Sequence, residues 1–274
     1  MAALGPYYAT PAVLALTGIA LLWNRRVRGF LPDDVPSQGR KQHGRRMPLA
    51  GVVIVPPILF WLLADHRYVV AIAVAAVAIL GFVDDWHKEK GRDFDWRIKA
   101  AGLGTAAFAI PCTQSSPLED PMRFLFAWAL VFVLTNAINF LDNTDGVAAS
   151  VAGASLVGAT HAEGPLAAAG FAACGFVAWN WPRPLCFLGD CGAYALGLCA
   201  GTVCIESLPA SSALLPFALP LFDFVQVVTV RLCLGLRPWR GDRRHISHIL
   251  QNGGLPRWLV APVLGAVTWW CAGW

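Results

Sequence analysis

Residues 136–146 read Asn-Ala-Ile-Asn-Phe-Leu-Asp-Asn-Thr-Asp-Gly. Asn136, Asn139 and Asp142 recur every three residues, which puts them on one face of a helix. Amide and carboxylate oxygens on such a face can bind a hard cation or the hydroxyls of a ribose. Asp145 has a second reading, as N-cap of a helix that starts at Val147. That reading leaves Asn136, Asn139, Asp142 and Asn143 unexplained. The stretch lies between two apolar runs, where polar side chains point to function.

Four further clusters carry chemistry. One is the loop from Asp33-Asp34 through Arg40, Lys41 and His43 to Pro48, a basic segment that could equally serve only to orient the chain. A second is Gly81-Phe82-Val83-Asp84-Asp85-Trp86, two adjacent acids at the end of an apolar run. A helix C-terminus disfavours acids and the two charges repel, so a cation, Lys88 or a phosphate-handling role must compensate. The third runs from Asn180 through Phe187 to Gly189-Asp190-Cys191-Gly192, with Asp190 placed either as a ligand or as the cap of the next helix. The fourth is Asp242-Arg243-Arg244-His245-Ile246-Ser247-His248, with two imidazoles one turn apart beside two arginines. Zinc would need a third local ligand, and none is at hand. Acids, imidazoles and cations together suit a phosphate-rich substrate and Mg²⁺.

The elements that must position these groups are helices in a membrane. The chain has 274 residues, 57% hydrophobic and 14% charged, against about 25% charged in soluble domains. Apolar runs lie near 7–23, 48–64, 68–83, 98–112, 122–140, 147–160, 165–180, 187–205, 209–234 and 256–274. The expected fold is therefore an all-α, polytopic membrane bundle of about ten transmembrane helices in one domain, residues 1–274. The runs at 68–83, 98–112 and 147–160 are short for a span. Gly197 and Gly201 have the spacing of a close helix contact. With the N-terminus outside, 19 of the 21 Lys and Arg fall in loops on the cytoplasmic side, all but Arg67 and Arg123. Every chemical cluster falls on that side too. The net charge of +4 then describes a surface for anionic substrates and lipids, with no nucleic-acid partner. The eight cysteines form no CxxC pair and read as small core residues.

Taken together, these motifs resemble the polyprenyl-phosphate N-acetylhexosamine-1-phosphate transferases of glycosyltransferase family 4. The likeness rests on Arg40-Lys41-x-His43…Pro48, Gly81-x-x-Asp84-Asp85, Asn136-x-x-Asn139-x-x-Asp142-x-x-Asp145-Gly146, Phe187-x-Gly189-Asp190-x-Gly192 and Asp242-Arg243-x-His245-Ile246-x-His248, in order over residues 33–250. Pro220-Leu221-Phe222-Asp223 with Arg231 is a sixth trace. The resemblance implies Asp190 and Asn139 as ligands of Mg²⁺, for which Mn²⁺ could substitute. It implies Phe187 as the face for uracil, with Asn180, Asp142 and Asp145 near the nucleoside and Asn136 and the Arg40, Lys41, His43 segment in substrate binding. Asp84 and Asp85 would be catalytic groups beside the lipid phosphate, positioning it or acting as base for its monoanion only. His245 and His248 would be catalytic too and, with Arg243 and Arg244, form the donor diphosphate and sugar site. Two positions depart from the usual pattern: Ser247 replaces a histidine, and Asn143 stands where many members have glycine.

The reaction so implied transfers a HexNAc-1-phosphate, most simply GlcNAc-1-phosphate, from a UDP-sugar to undecaprenyl phosphate and releases UMP. It would be the first membrane step of a cell-envelope polysaccharide, at the inner (plasma) membrane, in an enzyme that could work as a homodimer. Phospho-N-acetylmuramoyl-pentapeptide transfer is the neighbouring alternative. A transporter would carry acids at mid-helix, and only Asp223 lies well inside an apolar run.

Overall fold

The computed structural model describes residues 5–27, 29–35, 46–92, 94–114, 116–208, 210, 212–239 and 241–273. Arg40, Lys41 and His43 lie outside the described residues. The described chain is helical, with a single short sheet. The helices are α1 (Ala9–Arg26), α2 (Val55–Ala64), α3 (Tyr68–Glu89), α4 (Trp96–Ala109), α5 (Pro121–Leu141), α6 (Val147–Ala159), α7 (Gly164–Asn180), α8 (Gly189–Glu206), α9 (Ala218–Cys233), α10 (Ile246–Asn252) and α11 (Arg257–Ala272). Strands β1 (Asp33–Asp34) and β2 (Met47–Pro48) pair antiparallel, Asp33 opposite Pro48. Four segments are long and apolar enough to cross a membrane: Pro6–Arg26, Tyr68–Glu89, Pro121–Leu141 and Leu215–Cys233.

The apolar runs anticipate these helices well, except the seven-residue α10, and several differ in extent. The run at 48–64 opens with a 3-10 turn over Gly51–Ile54 before α2 begins, where Pro56 and Pro57 sit in the first helical turn and lack N–H groups to bond backwards. The run at 68–83 continues as helix through the acid pair to Glu89. Asp84 and Asp85 are therefore in the helix body, a full turn before its end.

Helix α8 is the centre of the bundle. Every residue from Gly189 to Ile205 except Asp190 is buried. Its composition explains how: glycine, alanine and cysteine let neighbouring backbones come close. A Cβ on Gly197 would meet the Thr135 Cα at 2.7 Å, and one on Gly201 would meet the Val131 Cα at 2.8 Å, so α5 lies directly against this face. A Cβ on Gly81 would reach the Asp190 backbone carbon at 2.5 Å, so α3 touches the start of α8 equally closely. Those two contacts bring the acid pair of α3 and the polar end of α5 to one helix N-terminus.

Candidate active site

The first backbone N–H groups of a helix have no partner within it, and they carry partial positive charge. In α8 they are met by acids from two other segments. Gly189 N–H donates to Asp142 Oδ2 at 3.0 Å. Asp190 N–H and Cys191 N–H donate to Asp85 Oδ1 and Oδ2 at 3.1 and 3.2 Å. Asp85 is 2% exposed, and both its oxygens are taken up in holding α8. Gly189 has φ +68°, and a Cβ there would meet Asp85 Oδ2 at 2.7 Å, so this position requires glycine twice over.

With its backbone held from outside, Asp190 does not cap its own helix. Its Oδ1 accepts from Asn139 Nδ2 at 3.0 Å. Its Oδ2 accepts from Lys88 Nζ at 2.8 Å and from Tyr194 Oη at 3.3 Å. Lys88 Nζ is also 2.8 Å from Asp84 Oδ2, which in turn pairs with Lys99 of α4 at 2.9 Å. Asp84 is fully buried, and its Oδ1 has no hydrogen-bond partner. The compensation that the adjacent acids require thus comes from two sources: lysines for Asp84 and a helix N-terminus for Asp85.

Asp142, just beyond α5, is pushed up to about 7, first by burial and then by the negative charge of Asp190, against the opposing Gly189 N–H. Asp145 does not cap α6. Its Oδ1 lies 2.8 Å from Arg257 Nη2, at the start of α11. Asn136 turns its amide N–H back to Phe132 O at 2.8 Å. Asn180, 2% exposed, ties the 142–146 loop to the one before α8: Gly146 N–H donates to its Oδ1 at 2.8 Å, and its Nδ2 donates to Cys186 O at 2.9 Å. Phe187 is half-buried and fixed by its backbone, its N–H donating to Pro48 O and its carbonyl accepting from Ala50 N–H, both at 2.9 Å.

The histidine cluster sits on α10 and the turn before it. Arg244 Nη1 is 2.6 Å from Asp242 Oδ2, and Asp242 also receives two bonds from Arg231 of α9. Burial opposes ionisation of Asp242, yet the hydrogen bonds from Arg231 and Arg244 outweigh it and hold its carboxyl at about 2. His245 is bonded at both ring nitrogens. His248 is 6% exposed, and no hydrogen bond to its ring forms among the described residues. Burial lowers its pKa below the ordinary 6.5, and the positive charges of Arg243 and Arg257 add to the effect against Asp223. The two arginines give this position positive charge, suited to an anion.

The structure therefore brings Asp84, Asp85, Asn139, Asp142 and Asp190 together, joined by Lys88, which sequence reasoning named as a partner of the acid pair, and by Lys99 and Tyr194, which it did not name. Lys88 was legible as the i+4 partner of Asp84. Lys99 was not, because only the packing of α4 on α3 brings it there. Among the described residues no three His, Cys, Asp or Glu side chains form a ready metal centre. Mg²⁺ commonly takes one or two carboxylates and completes its shell with substrate phosphates and water. The Oδ1 of Asp84, buried without a hydrogen-bond partner in the same cluster as Asp190, fits that mode.

The profile described as glycosyl transferase family 4 matches residues 67–208. Three relatives extend the likeness. The chain is 27% identical over 223 residues to an undecaprenyl-phosphate alpha-N-acetylglucosaminyl 1-phosphate transferase of Thermotoga maritima, covering 78% of this chain and 71% of the relative. It is 27% identical over 244 residues to a phospho-N-acetylmuramoyl-pentapeptide-transferase of Deinococcus radiodurans, covering 76% of each. It is 27% identical over 253 residues to a probable undecaprenyl-phosphate N-acetylglucosaminyl 1-phosphate transferase of Bacillus subtilis, covering 81% of this chain and 70% of the relative.

Proposed function

The chain belongs to glycosyl transferase family 4, and from that premise we propose that it transfers N-acetylglucosamine 1-phosphate from a UDP-sugar to undecaprenyl phosphate, releasing UMP. The relatives in Thermotoga and Bacillus bear the corresponding names. The observation that carries the reading is the convergence of Asp84, Lys88, Asn139 and Asp190, from three helices, in one cluster of contacts.

Mg²⁺, or Mn²⁺ in its place, would be held by Asp190, the Asn139 side-chain oxygen and the unpartnered Oδ1 of Asp84. When bound, it supplies positive charge to the donor diphosphate. The protein's own groups do the rest. Lys88 and Lys99 offer positive charge to the acceptor phosphate beside Asp84. That phosphate has its second pKa near 6, so at neutral pH it is largely dianionic and attacks unaided. One of its oxygens forms a bond to the donor β-phosphorus. The bond from that phosphorus to the bridging oxygen breaks, and the electron pair leaves with UMP. Asp85 has no free oxygen for a base role; it holds Asp190. Arg243, Arg244 and His248 would face the donor diphosphate, and Phe187, Asp142, Asp145 and Asn180 the nucleoside, with Asn136 in substrate binding. Catalysis is then positioning and electrostatics, as phosphoryl transfer generally requires.

Nineteen of 21 basic residues on one side of the chain support about ten crossings of the plasma membrane, an outside N-terminus and a cytoplasmic site. The equal identity of the Deinococcus relative supports a second reading, with a muramoyl-peptide donor. One experiment separates them. Purified protein is given undecaprenyl phosphate, Mg²⁺ and, in turn, UDP-N-acetylglucosamine, UDP-N-acetylgalactosamine and UDP-N-acetylmuramoyl-pentapeptide, and UMP is measured. Release with the first donor is expected. Release with the pentapeptide donor alone establishes the second reading, and release with none overturns both.

A further inference from the structure

Helix α9 carries two charged side chains that are almost wholly buried, Asp223 at 0% and Arg231 at 1% exposed. Ions at such depth are costly unless paired. Asp223 Oδ2 lies 2.8 Å from His245 Nδ1, and its Oδ1 accepts from Ile246 N–H at 2.6 Å. Arg231 gives two N–H bonds to Asp242 at 3.1 Å each and one to Pro238 O at 2.6 Å. Its Nη2 also lies 3.4 Å from His245 Nε2.

This geometry points to one tautomer. A guanidinium has donors only, so His245 Nε2 accepts. The ring proton then resides on Nδ1 and is donated to Asp223. An Asp–His pair elsewhere often orients a general base, but such a base needs its far nitrogen open to substrate. Here Arg231 covers it.

On its other side, α10 is fastened to the 142–146 loop. Ser247 Oγ donates to Asn143 Oδ1 at 2.5 Å, and Gln251 Nε2 donates to Thr144 Oγ1 at 3.3 Å. His248 stands between these two sets of ties and takes part in neither.

We propose that Asp223, Arg231 and His245 are positioning residues, a buried brace that ties the start of α10 to α9 and so sets His248 at the donor site. The donor site rests on the transferase reading; the brace itself does not.

Two measurements test it. Nitrogen-15 histidine NMR of the full chain in detergent at pH 8, with the His245 signal assigned by its loss in His245→Gln, is expected to show Nδ1 protonated and Nε2 bare. A proton on Nε2 overturns the brace. The second measurement uses His245→Gln itself, whose carboxamide can donate to Asp223 and accept from Arg231. It is expected to keep kcat and donor KM within about fivefold of the parent, whereas loss of a general base costs about 10²–10⁴-fold. A folded His245→Gln protein with a loss of that size overturns the proposal. Asp223→Ala should raise donor KM by about tenfold while leaving lipid KM unchanged; equal effects on both would also count against it. If the parent protein turns over no donor at all, the transferase reading fails, and the tautomer still decides the brace.

Discussion

Lys88 Nζ lies 2.8 Å from Asp190 Oδ2, although 102 residues separate the two in the chain. The same ammonium is 2.8 Å from Asp84 Oδ2. It stands between two carboxylates that would otherwise repel, in the space where a hard cation would share them. Its side chain is 45% exposed, so it can withdraw toward water. A divalent metal at this site would therefore compete with Lys88 for the same two carboxylates. Lys88→Met is expected to bind Mn²⁺ more tightly than the parent, as read by electron paramagnetic resonance. The same variant should turn over at least about 10²-fold more slowly, having lost a charge that faces the acceptor phosphate. Weaker Mn²⁺ binding would show that the lysine supports the metal site and does not compete with it.

Asp85 and Asp84 should differ sharply on removal. Asp85 satisfies two N–H groups of α8, and leaving a buried donor unsatisfied costs about 1–3 kcal/mol. Asp85→Ala is expected to lower the thermal midpoint in detergent, and to weaken metal binding because Asp190 loses its support. Asp84→Asn removes a charge but no backbone partner and should melt close to the parent. Equal melting of the two variants would refute the capping role.

His248 makes the fold acid-sensitive. Its pKa lies below 6.5 because of burial and neighbouring positive charge, while in the unfolded chain it titrates at the ordinary value. Between those two values the unfolded state binds more protons, so stability rises with pH across the window and is fully present above 6.5. Unfolding followed at pH 7.5 and 5.5 should show a smaller acid loss for His248→Gln than for the parent. An equal loss would mean that other groups set the sensitivity.

The orientation can be read by labelling. In a cysteine-free background, Leu118→Cys should react with an impermeant thiol reagent added outside intact cells, and Lys90→Cys should react only after lysis. Leu118 is 91% exposed, so failure to label it would reflect the wrong side and not burial. Labelling of position 90 from outside would invert the proposed topology.

Much of the fold is legible in local sequence, because helices in a membrane are written as apolar runs. The run at 147–160 corresponds to α6 at Val147–Ala159, and that at 187–205 to α8 at Gly189–Glu206. The seven-residue α10 has no such run, and its start is capped by an acid on α9. The motif residues were equally legible as a set, but their division of labour was not. Asp85, Asn180 and His245 have the same polar character as their neighbours, and only long-range contacts distinguish a residue that supports the site from one that faces into it. The acid pair needs compensation, as its sequence implies, but for a different reason than a helix end: α3 runs on to Glu89, and Asp84 and Asp85 are buried in its body against lysines and the N-terminus of α8.

The tie from Asp85 to the Asp190 amide spans 105 residues, and this has a consequence for biosynthesis. At roughly 5–20 residues per second, the ribosome delivers the second partner about 5–20 s after the first. Asp84 has Lys88 within its own helix from the outset, but Asp85 has nothing comparable until α8 arrives. Until α8 is made, Asp85 lacks the two N–H groups that its carboxylate holds in the finished fold, so the contact between the end of α3 and the start of α8 can close only when the later half of the chain is present.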